Sequence, residues 1–295
     1  MRNLKPLLGI FAVDKQGQGF LTFAQNTDSV DYLKLAYVQA MNIKTLHPAA
    51  EYAVLVDAET SKLVTGKHRR VFDHVILITN DNNPAESTWK LANEYQVFNL
   101  TPFKETIKLE SDLLFTRNID HWWSTFRLRD IVLSYNCKDY RGINNASQAY
   151  RQLFIDNQLP NTYSGLMYFR YSKDANNFFY LAQQLYENWT YIKNNVLIKC
   201  HEDFPSTDVL YALTAKLIGV EKCTLPHIDF VNFVHMKSAI NGWGFNDSDW
   251  RDIVVSEQDD TMIRINNINQ YYPVHYHNKN YVTEELIDYY ERLLF

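Results

Sequence analysis

Apolar and polar positions divide the first half of the chain into short unbroken apolar runs separated by stretches of helical spacing. Leu7–Val13 is an apolar run that stops at Asp14, the pattern of a strand buried on both faces. The polar stretch from Asp14 to Asp28 holds Gly17 and Gly19 and reads as a loop. Val30, Leu33, Ala36, Tyr37, Ala40, Met41 and Leu46 then recur at helical spacing, predicting a helix over Ser29–Leu46 that Pro48 stops. Tyr52–Val56 predicts a second strand ending at Asp57, and Val75–Ile78 a third. A short helix is expected over Glu86–Tyr95, a fourth strand over Thr106–Leu109, a helix over Asn118–Phe126 and a fifth strand over Ile131–Tyr135. Strands alternating with helices imply an α/β fold with a mixed, mostly parallel sheet flanked by helices.

The second half is less regular. Strands are expected at Gly165–Phe169, Phe230–Met236 and Thr261–Ile265, and helices at Lys173–Asn194, Ser206–Leu217 and Glu284–Leu294. No repeat or linker interrupts the chain, so residues 1–295 read as a single domain with two halves, 1–136 and 137–295.

Composition narrows the classes. With 295 residues, 46% of them hydrophobic and 21% charged, the chain can bury a sizeable core. A net charge of -5 argues against holding nucleic acid by bulk electrostatics, leaving only a local basic patch such as Lys67–Arg70. Cys137, Cys200 and Cys223 are odd in number and lack zinc-site spacing, which points to reduced thiols. The N-terminal apolar run is too short to span a membrane and no small-residue cleavage site follows it. The expectation is a cytoplasmic protein with no membrane partner.

Ligands of parallel α/β sheets bind outside the carboxyl ends of the strands. Asp14, Asp57 and the Glu110/Asp112 pair all fall at such predicted ends. Carboxylates at i and i+2 share a side of a strand and can hold one hard divalent cation together with phosphate oxygens and water. The bland reading of the pair is a helix cap in a solvated turn.

The order of motifs extends this. Lys108-Leu-Glu-Ser-Asp-Leu-Leu-Phe115 resembles the acidic segment of the GT-A nucleotide-sugar glycosyltransferases, and Thr116–Asp120 resembles the connection that follows it in glycogenin-like members. Asn161–Phe169 is similar to their glycine-containing strand beside the donor sugar, and Asp203-Phe-Pro-Ser-Thr-Asp208 to their acidic helix start. Phe233-Val-His-Met-Lys237, with Gly242-Trp243 after it, resembles their histidine- and lysine-bearing element near the end of the core. Glu110 stands where the first aspartate is usual, the usual asparagine before Gly165 is missing, and no Lys-Pro-Trp follows His235. The resemblance is to the superfamily. Asn269–Lys279 also resembles a C-terminal segment of phage-encoded members, which would put the protein in a host cytoplasm.

The resemblance implies a GT-A-like fold and a divalent metal, manganese or magnesium, that neutralises a leaving nucleoside diphosphate. Asp112 would be the principal ligand and Glu110 a second ligand or a contact to ribose. His235 is the leading third ligand; His275 and His277, sharing a face at i and i+2, are its rivals. Lys237 or Lys279 would meet the diphosphate, Asp14 the base and ribose, and Gly165 the donor sugar. Asp208, or less directly Asp203, would face that sugar as general base or hydroxyl anchor, although both positions also suit helix capping.

The reading is a metal-dependent transferase of sugar from a nucleoside-diphosphate sugar. The phage-like resemblance implies one acceptor, a hydroxymethylated base in DNA; the alternative is a protein or glycan. Two other classes compete. A sugar-1-phosphate nucleotidyltransferase shares the core, but Gly17-Gln18-Gly19 is a poor version of its glycine-rich signature. A non-catalytic glycan- or nucleotide-binding module would share the fold without turnover.

Overall fold

The computed structural model describes residues 15–83, 90, 92–144, 148–225, 227–228, 232–236, 256–259, 262–276 and 278–295. Within them the first half runs β1 (Gln16–Ala24), α1 (Tyr32–Leu46), β2 (Glu51–Val56), α2 (Ala58–Ser61), α3 (Gly66–Arg69), β3 (His74–Leu77), α4 (Val97–Leu100) and β4 (Phe103–Leu109). It continues with β5 (Leu113–Leu114), α5 (Trp122–Phe126), β6 (Ile131–Tyr135), α6 (Gln148–Asp156), β7 (Thr162–Arg170), α7 (Lys173–Glu187), α8 (Trp189–Asn195), α9 (Thr207–Ile218) and α10 (Val220–Cys223). The remainder comprises β8 (Val234–His235), β9 (Ser256–Asp259), β10 (Met262–Ile265), β11 (Ile268–Gln270), β12 (Val274–His275) and the last helix, α11 (Glu284–Leu294).

Six strands form the main sheet in the order β3-β2-β1-β4-β7-β6. Strands β1 to β4 are parallel, and β7 runs antiparallel between β4 and β6. The sheet is buried on both faces. Phe20 and Ala24 of β1, with Val54, Val56, Ile107 and Leu109, pack on the face that carries α1 and α11. Leu21 and Phe23, with Ala53 and Leu55, pack on the opposite face against Phe178, Phe179 and Tyr211 of α7 and α9. This period of two gives β2 the continuous apolar run Tyr52–Val56 seen in the sequence.

The sequence reading is corrected at β1. The expected loop over 14–28 contains this central strand instead, and the run Leu7–Val13 with Asp14 lies outside the described residues. Gly19 misleads because it signals a turn, whereas here it admits a close neighbour. A Cβ at this position would fall 2.4 Å from the Phe103 ring of β4. The expected helix over 173–194 is likewise two helices, parted at Asn188, whose backbone leaves helical geometry. Of the expected Glu86–Tyr95 helix, residues 86–89 and 91 lie outside the described residues, and Glu94–Gln96 forms one 3-10 turn.

Two three-stranded sheets complete the architecture, β11-β10-β9 and β5-β12-β8. The second matters most, because it joins the segment after β4 to two separate parts of the C-terminal region. No helix among the described residues is long and apolar enough to cross a membrane.

Candidate metal and nucleotide site

The site begins where β4 leaves the main sheet. Glu110 N–H donates to Gly165 O of β7 at 2.8 Å, extending the β4–β7 ladder one step beyond Leu109. The chain then turns through Ser111 and Asp112 into β5. Two buried amides of α1 pin this turn from behind. Gln39 Nε2 donates to the carbonyls of Glu110 and Leu113, both at 2.6 Å. Asn42 pairs with both the N–H and the C=O of Phe115, at 2.7 and 2.9 Å. Strand β5 pairs antiparallel with β12, setting Leu113 opposite His275, and β12 pairs parallel with β8, setting His275 beside His235. Three sequence-distant segments thus reach one place through backbone pairing alone.

Their side chains converge. Glu110, Asp112 and His275 each offer a ligand atom within 4.8 Å of the others. His275 Nε2 lies 2.9 Å from Asp112 Oδ2 and 3.1 Å from Glu110 Oε2. Neighbouring ligand atoms on one octahedral ion, each about 2.1 Å from it, stand about 3.0 Å apart. The His275–carboxylate spacings match that edge, and two carboxylates with one imidazole form a donor set for a divalent cation. The residues present fit a divalent cation.

Lys279 Nζ also bonds Asp112 Oδ2. Burial by itself raises the Asp112 carboxyl, but the charges and hydrogen bonds of His275 and Lys279 outweigh it and hold the group well below the usual carboxylate range. Burial lowers Lys279 in turn, and Asp112 overrides it, so the ammonium is held above its ordinary value. Both partners shift toward the charged form.

A second hub adjoins the first. Asp208, in the first turn of α9, accepts at Oδ1 from Ser164 N–H at 2.7 Å and from Ser164 Oγ at 2.9 Å. Its Oδ2 accepts from Arg151 at 3.1 Å, a fully buried guanidinium lying over the Tyr163 ring at 3.7 Å. Ser164 Oγ is also 3.4 Å from Glu110 Oε1, which links the two hubs. Beneath them Lys108 and Glu94 form a buried ion pair at 2.5 Å. Burial pushes the Glu94 carboxyl up against the pull of Lys108, and Glu110 and Asp208 add to the rise. Gly165 sits at the junction. A Cβ there would stand 2.9 Å from the Phe233 ring and 3.3 Å from Glu110 Oε2.

The structure therefore gathers Glu110, Asp112, Gly165, Asp208 and Lys279 from the sequence reading. It places the imidazole differently. His275, not His235, faces the carboxylates, because the β5–β12 pairing sets His275 against the turn and leaves β8 one strand further away. Asp203 is exposed and pairs with Lys193 at 2.8 Å, so it belongs to the surface. Asp14, Lys237, Gly242, Trp243 and His277 lie outside the described residues. Asp57 caps α2 through Thr60 N–H at 2.7 Å. Arg151, Ser164, Lys108 and Glu94 were not singled out from the sequence. A signal did exist for Gln39 and Asn42, two amides three residues apart on an otherwise apolar helix face.

No protein-family profile matches this sequence, and no curated protein matches it. Among solved structures, the chain is similar to an active-site variant of LgtC at 13% identity, over 94% of this chain and 95% of that one, with a TM-score of 0.50. A galactosyltransferase LgtC structure, described as a complex with donor and acceptor sugar analogs, matches at 13% identity over 67% and 70% of the two chains, TM-score 0.45. Mouse xyloside xylosyltransferase 1 matches at 12% identity over 71% and 85%, TM-score 0.42. The near full-length likeness to LgtC is one of fold, and the fold is GT-A-like.

Proposed function

We propose that the protein is a metal-dependent glycosyltransferase using a nucleoside-diphosphate sugar. The observation that carries this is the Glu110–Asp112–His275 cluster at the carboxyl end of β4 in a GT-A-like fold. Glu110, Asp112 and His275 would hold the cation. When bound, it supplies positive charge against the departing diphosphate. Lys279, which bonds Asp112, would donate to a diphosphate oxygen. Gly165 lets β7 pass close to the Phe233 ring and Glu110, since any side chain there would meet Phe233, and it would border the donor sugar. Three donors converge on the two Asp208 oxygens, which suits a fixed acceptor for a sugar hydroxyl better than a base that must gain a proton. Residues 1–136 would form the nucleotide half, with Asp14 toward base and ribose, and residues 137–295 the acceptor half, with Lys237 as a further phosphate contact.

The acceptor reading is a glycan or protein, with a hydroxymethylated DNA base as the rival; the net charge of -5 favours the former. Incubation with a panel of nucleotide sugars and manganese tests the proposal. Release of nucleoside diphosphate, lost in Asp112→Ala, is expected. Release of pyrophosphate from a nucleoside triphosphate and a sugar phosphate would instead indicate a nucleotidyltransferase, and absence of any turnover a binding module.

A further inference from the structure

The structure assigns His235 as a positioning residue that sets the tautomer of His275, resting on the reading that His275 binds the cation through Nε2. His235 Nδ1 and His275 Nδ1 lie 2.9 Å apart, both rings are buried, and their planes differ by only 15°. The ring centroids, 5.0 Å apart, fall just short of the N–N distance plus the two ring radii, so both nitrogens lie close to the line between the centroids. The imidazoles therefore meet edge to edge, and the contact is an N–H···N hydrogen bond in the plane of both rings.

One proton is shared between two like atoms, so its owner is fixed by what the far side of His275 requires. A neutral imidazole holds its proton on one nitrogen only. To present a lone pair from Nε2 to a cation, His275 must carry its proton on Nδ1. That proton then needs an acceptor, and the Nδ1 lone pair of His235 is where it points. The ring is held for this by Tyr163 and Phe233, at centroid distances of 5.0 and 5.5 Å, and by the pairing of β8 with β12. Partners of this kind behind a ligating histidine typically change metal affinity 10- to 100-fold.

Calorimetric titration of manganese alone into the full chain tests the assignment, with thermal melts confirming that each variant folds. His235→Ala and His235→Phe should both weaken manganese binding about 10- to 100-fold. Phe preserves ring packing but offers no acceptor, so it separates packing from hydrogen bonding. His235→Asn, whose amide oxygen can take the Nδ1 place, should recover most of the loss. Nitrogen NMR of the wild type with magnesium should show His275 protonated at Nδ1. Manganese binding within twofold of wild type in His235→Phe overturns the assignment, as does a magnesium-bound His275 protonated at Nε2. His275→Ala should abolish binding; if it does not, the metal reading itself fails and this inference with it.

Discussion

At the scale of single residues, the site depends on charges that are buried but partnered. Asp112 carries most of this. Its carboxyl sits well below the ordinary value near 3.8 because His275 and Lys279 outweigh burial. Between that ordinary value and the folded one, the unfolded chain binds the extra proton, so stability rises with pH through the interval. The contribution is complete above about pH 4 and is lost as pH falls through the folded-state value. Asp112→Asn should therefore be less stable than wild type at pH 6 without metal, and the gap measured by urea unfolding should narrow below pH 4. A gap constant from pH 2 to 6 would contradict this sign. Gly165 gives a test of shape alone. Gly165→Ala forces a methyl against the Phe233 ring and toward Glu110 Oε2, so it should cost about 1–3 kcal/mol by overpacking. Manganese affinity should fall with it, because Glu110 must move; calorimetry showing wild-type affinity would mean that Glu110 is not held from that side.

At the scale of elements, α1 fixes the geometry of the turn between β4 and β5. Asn42 is fully buried and spends its amide on Phe115 and on the Tyr290 hydroxyl of α11, at 2.9 Å. Asn42→Leu strands the Phe115 N–H and C=O in an apolar interior, a loss of about 2–6 kcal/mol at roughly 1–3 kcal/mol per unsatisfied group. Chemical denaturation should register it, and metal affinity should fall as the turn loosens. A stability change under 1 kcal/mol would refute the role given to α1. This arrangement also shows what local patterns reveal and what they hide. Strand β4 and the carboxylates after it are visible in the sequence because the short strand pattern Thr106–Leu109 runs straight into Glu110 and Asp112. Strand β1 is not, since Gly17 and Gly19 read as turn residues until the close approach of Phe103 is known. The choice between His235 and His275 is likewise invisible. Both lie in two-residue strands beside aromatic residues, and only cross-chain pairing with β5 decides which one meets Asp112. Arg151 is hidden for a related reason: its charge is buried against Tyr163 and Asp208 by contacts 12 and 57 residues away in sequence.

At the scale of the molecule, the candidate site is assembled from β4, β7, α9, β12 and the segment at Lys279, so ligand and fold should stabilise one another. The triad leaves Lys279 as the described cation touching Asp112, and no glycine-rich loop among the described residues offers a phosphate cradle. The diphosphate should therefore depend on the metal for most of its affinity. Chelator is expected to weaken nucleoside diphosphate binding by at least about tenfold, about 1.4 kcal/mol. A ligand that binds only the folded chain adds about 2.7 kcal/mol at a hundred times its Kd. For a chain of this length, each kcal/mol raises Tm by about 2 °C, so saturating manganese and nucleoside diphosphate together should raise it by about 5 °C. Nucleoside diphosphate with chelator should raise it far less, and Asp112→Ala should show neither shift while still melting cooperatively. An equal rise with chelator and with manganese would mean that the diphosphate is held by groups outside the Glu110–Asp112–His275 cluster.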